Sequence, residues 1–252
     1  MLKLTFVFMP MALALVAANS QAQVVSAPDL KEGDSWVLEY TQEVAPSTWN
    51  QIKRQITVVR VNSKNMLISN KQPDANQPGR ETLINKDWSE FSMIDGVETI
   101  TYQPMLFPLS VGKTWETKFT RPHPAKDIKS AAFVVKYTVI GLEDVTVKAG
   151  TYKALKIEGE GTWTDESEPV HAVLQGAKTS TDGTSMSTVV SNQAALKRAG
   201  RLYRVIWYSP DQKRWVKNIE EQYAPDGTRY ERKTLELLST SLKNVAGGGK
   251  SD

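Results

Sequence analysis

Hydrophobic residues recur at every second position in several separate stretches of the chain. Trp36, Leu38 and Tyr40 alternate with Val37 and Glu39, and Trp115, Thr117 and Phe119 alternate with Glu116 and Lys118. Phe133, Val135, Tyr137 and Val139 alternate with Val134, Lys136 and Thr138. A period of two turns one set toward a core and the other toward water, as in a half-buried antiparallel strand. Turn chemistry separates the runs. Asp95-Gly96 lies between two β-rich segments, and both residues tolerate the positive φ of a tight hairpin. Pro225-Asp226-Gly227 and Gly150 mark two further hairpins, with each glycine expected in a left-handed bulge.

Two of these strands start alike: "GDSWVLEY" at 33–40 and "GKTWETKF" at 112–119. After the first, strands are predicted near 52–61 and from Met66, with a turn at 62–65. After the second they are predicted near 132–140, 145–148 and 152–158. The pattern reads as two related β-meanders, each led by an inward tryptophan. Residues 164–200 are polar and read as a loop-rich insertion. Within it, Met186, Val189, Val190 and Ala194 stand at helical spacing before Gly200, which predicts one short helix. The fold class is therefore mainly β: a curved antiparallel sheet or half-open β-barrel with at most one or two short helices.

The N-terminus departs from this pattern. Lys3 precedes an apolar run over 4–18, and small residues follow it, which is the layout of a secretory signal. Pro10 interrupts the run, and it is short for a membrane span of ~20 residues. Ser20 and Ala22 suit the small-residue sites, placing cleavage between Ala22 and Gln23. The expected organisation is a leader over 1–22, a single β domain over 23–242 and a disordered tail over 243–252. The chain has no cysteine, so neither a disulfide framework nor a cysteine-linked lipid anchor is available. With 31 basic and 28 acidic residues, charge supplies no strong field toward nucleic acid. A periplasmic or secreted location follows, with no membrane span after cleavage.

Candidate chemistry is sparse. Gly33-Asp34-Ser35 matches a hydrolase nucleophile motif, but its general base should be a late histidine. The last histidine is His171, and no D-x-x-H pair exists. Gly112-Lys113-Thr114 would end a phosphate loop, yet Phe107 stands where the first glycine belongs. Ser110 and Lys113 spell S-x-x-K without the helical turn that motif requires. His123 and His171 lack metal-site spacing, and Asp165–Glu168 lacks the spacing of a calcium loop. No metal or cofactor is expected. The basic, aromatic segment 197–217 divides its arginines between the two faces of a strand, so it reads as core aromatics with solvated charged edges.

"QPMLFPLSVG" at 103–112 reads as a plug over one end of the core, or as the rim of a hydrophobic pocket. The plug is favoured, because a loop this apolar is seldom left in water. Seven tryptophans are more than alternation needs. A sheet without a helical layer must close, pack on a second sheet or hold a guest. The third option predicts an apolar pocket of about 300–1,000 Å³, with Phe107, Trp163 and Trp207 as ligand-binding residues.

"PLSVGKTWE", "VTVKAGTYKALKIEGEG" and "VIWYSPDQKRWVK" occur in that order over about 104–240. Together they resemble the TapB-like family of exported bacterial β-proteins. The resemblance implies a curved antiparallel sheet, distantly similar to lipoprotein-carrier folds, and carries over no catalytic residue. The insertion at 164–200 departs from it. The function expected is a non-catalytic envelope protein that binds a lipid or other hydrophobic ligand, or a protein partner. The alternatives are an enzyme acting on envelope glycan through two carboxylates, or a structural accessory of an envelope assembly. Two facing carboxylates in a groove would favour the enzyme. N-terminal sequencing of the exported protein should begin at Gln23; a full-length chain in the membrane fraction would contradict cleavage.

Overall fold

The computed structural model describes residues 24–45, 47–180 and 183–243, with the backbone alone for 170–193. Residues 1–23, with the expected cleavage junction Ala22–Gln23, and 244–252 lie outside the described residues. The alternating stretches form fourteen strands: β1 (Ser35–Val44), β2 (Thr48–Val61), β3 (Asn65–Lys71), β4 (Arg80–Asn85), β5 (Glu90–Ile94), β6 (Val97–Tyr102) and β7 (Thr114–Ala125). They continue as β8 (Ile128–Val147), β9 (Gly150–Ser167), β10 (Val170–Ser180), β11 (Gly183–Gln193), β12 (Lys197–Ser209), β13 (Arg214–Tyr223) and β14 (Arg229–Ser241). No helix occurs among the described residues, and none is long and apolar enough to cross a membrane.

Ten strands make one curved, open antiparallel sheet in the order β4-β3-β2-β1-β14-β13-β12-β9-β8-β7. The two Trp-led meanders, β1–β4 and β7–β9, flank a central β12–β14 meander. Trp36 and Trp115 are both buried, as alternation predicts. Asp95 and Gly96 take φ 51° and 79° at the β5–β6 turn, and Gly150 and Gly227 take φ 131° and 85°. Close approach also requires glycine inside β9. A Cβ on Gly159 would lie 2.6 Å from the Tyr137 ring, which crosses β9 at that point.

Three local expectations are corrected. The separate strands at 132–140 and 145–148 are one strand, β8, whose register shifts between Val139 and Gly141. A bulge bends a strand without ending it. The helix predicted around Met186–Ala194 is strand β11, paired with β10 from Ser180↔Gly183 to Val170↔Gln193. Thr188, Val189 and Val190 are β-branched, and pairing with β10 outweighs a weak helical spacing. The loop-rich segment 164–200 is thus the end of β9, a two-stranded ribbon and the start of β12.

The open sheet must cover its concave face with its own chain. The connection from β4 to β7, residues 86–113, does so. It carries the β5–β6 hairpin and buries Trp88, Met105 and Leu109. Leu109 makes a reciprocal antiparallel bridge with Val25, each N–O distance being 2.7 Å. Lys113 Nζ donates to the carbonyls of Leu106 and Pro108 at 2.6 and 2.7 Å. The 103–112 segment is a plug. The opposite face of the sheet is partly covered by the tip of the β8–β9 hairpin. There Ala149 N donates to Leu237 O at 3.1 Å, and Lys148 pairs with Glu39 on β1.

Trp36→Ala and Trp115→Ala should each lower stability by ~3–5 kcal/mol in urea, through lost burial and a residual cavity. Trp36→Ala should be the costlier, since its indole also donates to Gln212 O at 2.8 Å. Unchanged midpoints in both would show that the tryptophans do not anchor the core.

A candidate ligand-binding cavity

Register carries one polar row across the concave face. Tyr137 on β8 pairs with Gly159 on β9, Gly159 with Arg204 on β12, Arg204 with Glu220 on β13, and Glu220 with Lys233 on β14. Alternation places Leu202, Arg204, Ile206 and Tyr208 on the inner face, and all four are buried. Arg204 was expected at a solvated edge and is instead 3% exposed. Its charge is tolerated there because Glu220 arrives opposite it. Arg204 Nε donates to Glu220 Oε2 at 3.0 Å, Nη2 donates to the same oxygen, and Nη1 donates to the Tyr137 hydroxyl at 2.5 Å. Burial alone would raise the Glu220 carboxyl, but Arg204 and Lys233 outweigh it and hold it down at about 2.

Beside this row lies a cavity of about 600 Å³. Ile56, Ile68 and Ile84 from the β2–β4 side line it, together with Trp88 and Trp215. Five cationic side chains line it (Arg121, Arg198, Arg204, Arg214 and Lys233) against four carboxylates (Glu90, Asp165, Glu220 and Glu231). Four cations are matched. Arg198 pairs with Asp165 at 2.7 Å, Lys233 with Glu231 at 2.8 Å, Arg121 with Glu90 at 3.7 Å, and Arg204 with Glu220.

Arg214 is the fifth. It is 3% exposed and makes no ion pair among the described residues. Its guanidinium carbon lies 4.1 Å from the ring centroid of Trp88, 4.3 Å from Trp215 and 5.7 Å from Trp36. Trp88 contacts Trp36 and Trp215 edge-on, at 5.3 and 5.8 Å. The 210–213 turn sets this cage. Gln212 O accepts from the Trp36 indole, and Lys213 O accepts from the Trp88 indole at 3.0 Å. Lys213 in turn reaches the fully buried Asp34 at 2.9 Å. Asp34 also accepts from the backbone amides of Lys31 and Lys243. The Asp of the "GDS" stretch is therefore a clamp on the start of β1. Burial pushes the Arg214 guanidinium down to about 10, with Tyr40 and Tyr102 opposing, so it stays charged at neutral pH.

Six buried polar atoms of the lining have no hydrogen-bond partner among the described residues: Nε and Nη1 of Arg214, Nε1 of Trp163 and Trp215, and Oδ1 of Asn70 and Asn218. Buried polar groups are ordinarily satisfied. Their concentration here makes the cavity the candidate site.

Of the three residues expected to bind ligand, Trp163 lines the cavity, stacked on Tyr230 at 6.0 Å. Phe107 does not. It lies in the plug, edge-on to Tyr208 at 5.3 Å. Trp207 lies on the opposite face of β12, where its indole donates to Glu143 at 2.6 Å. Arg204, Glu220 and Arg214 were missed as interior residues. The available signal was charge at positions alternating with apolar ones, as in Leu202, Arg204 and Ile206. Elsewhere, His123 lies 3.3 Å from Glu168 and is exposed, and no His, Asp or Glu cluster among the described residues could hold a metal.

No protein-family model matches the chain, and no curated protein matches it. Two solved structures are similar to it. One is a candidate lipoprotein from Parabacteroides distasonis, 14% identical, covering 87% of this chain and 100% of its own, with a TM-score of 0.42. The other is a candidate exported protein with a YmcC-like fold from Bacteroides fragilis, 12% identical with the same coverages and a TM-score of 0.39. At such scores the likeness carries no functional argument, and the cavity is read from this chain's own residues.

Glu220 ionises more readily folded than unfolded, so its stabilisation is complete above the ordinary glutamate pKa of about 4.3. It is lost as pH falls through the folded value of about 2. Glu220→Gln leaves Arg204 buried without its partner and should cost ~3–5 kcal/mol at neutral pH. Urea titrations should show the gap between wild type and variant closing as the pH is lowered across that window. A gap independent of pH would mean that the Glu220 charge contributes nothing.

Proposed function

We propose that this protein is a non-catalytic, exported protein of the cell envelope that binds an amphipathic ligand on the concave face of its sheet. The observation that carries the reading is the preformed cavity of about 600 Å³, which combines an isoleucine and tryptophan wall with unpartnered polar atoms. Small-molecule sites are generally of this size, mostly apolar, with a few convergent polar groups. Export is supported by the leader-like N-terminus and by the family resemblance of 104–240. Binding is favoured over glycan hydrolysis because Glu220 is held ionised beside Arg204, the reverse of what a general acid needs. The ligand expected from the sequence changes in two respects: the pocket is amphipathic rather than wholly apolar, and Arg204, Arg214 and Trp163 line it while Phe107 and Trp207 do not.

Titration with the neutral probe N-phenyl-1-naphthylamine should give saturable fluorescence at one site per chain. Ile68→Trp, which fills the cavity, should weaken binding about tenfold or more, a change of about 1.4 kcal/mol. Trp207→Phe on the far side of the sheet should bind like wild type. A probe that does not bind, or that responds to Trp207→Phe and not to Ile68→Trp, would place any binding elsewhere.

A further inference from the structure

We propose that Arg214 is the seat for the single anionic head of the ligand, a carboxylate or phosphodiester carried on an apolar chain. The inference rests on the cavity reading above and specifies the chemistry that the cavity selects. Arg214 is the one cation of the lining without a carboxylate partner among the described residues, and its Nε and Nη1 donors have no acceptor. The other four cations are each matched, so the lining carries one net positive charge at one place.

The tryptophan cage contacts the guanidinium through ring faces, which attract a cation but accept no N–H bond in the manner of an oxygen. The turn at 210–213 fixes that cage before any ligand arrives, through the carbonyls of Gln212 and Lys213. A fully hydrated doubly charged anion would bring one more negative charge than the site can match. A monoanionic amphiphile fits both halves: its head meets Arg214, and its chain lies along the wall of Ile56, Ile68 and Ile84. Charge-assisted hydrogen bonds from a guanidinium to a carboxylate or phosphate are among the stronger polar contacts in proteins.

The test compares three ligands with the same eighteen-carbon chain length, about the size such cavities take, by calorimetric titration of the full-length mature protein. They are oleate, oleoyl-lysophosphatidylglycerol and the uncharged oleyl alcohol. At least one anionic ligand should bind about tenfold or more tightly than the alcohol, and the better of the two tells a carboxylate head from a phosphodiester head. In Arg214→Met that ratio should fall to about one, with the melting temperature equal to or above that of wild type, because a buried unpaired charge has been removed. Arg214→Lys, which keeps the charge, should retain part of the preference. Alcohol binding as tightly as either anion in wild type would overturn the anionic seat and leave the cavity reading standing. A preference that survives Arg214→Met would overturn the role of Arg214. No binding by any of the three would overturn both readings.

Discussion

A curved sheet with one apolar concave face and no helical layer has to cover that face with its own chain. Here the cover is the 86–113 connection, which runs from one edge strand, β4, to the other, β7, and buries Trp88 against Trp36 and Trp215. Burial of large aromatic rings is among the largest single contributions a core can receive. The cover extends over only part of the face. Met105 and Leu109 fill one end, and beyond Trp88 the same face opens into the cavity. Plug and cavity are two ends of one surface, with the tryptophan cluster as the boundary between them.

Two arginines on that face illustrate opposite solutions to burying a charge. Arg204 is met by Glu220 from the next strand and by the Tyr137 hydroxyl, so its cost is offset within the sheet. Arg214 is met by ring faces and by the Tyr40 side chain, and no carboxylate among the described residues lies within ion-pair distance of it. Removing one partner of a buried pair is expensive, whereas removing an unmatched charge is not.

Much of the architecture is legible in the sequence because it is encoded locally. The period of two in β1, β7 and β8, the Asp95-Gly96 turn, and the hairpins with positive-φ glycines at Gly150 and Gly227 depend on near neighbours. The motif residues fall at such places: Gly112 at φ 82° before β7, Trp115 and Tyr208 in the core, and Pro210 in the turn that sets the cage. The β10–β11 ribbon was not legible, since its sequence is polar and the apolar residues Met186, Val189, Val190 and Ala194 stand at helical spacing rather than in alternation. The site was legible only in part. Alternation already separates Trp207 from Arg204, but which face is concave depends on register with β9 and β13, strands far apart in sequence. The cage around Arg214 draws on Trp36, Trp88 and Trp215, and no local pattern joins those positions.

The central claim is that the cavity holds one unmatched positive charge, on Arg214. Crystals soaked in sodium bromide and measured at the bromine absorption edge test it directly, because bromide is a monoanion that can be located without ambiguity. An anomalous peak within hydrogen-bonding distance of Arg214 Nε or Nη1, and none beside Arg204, is the expected result. Bromide found only at exposed lysines, or beside Arg204 with Arg214 bare, would contradict it.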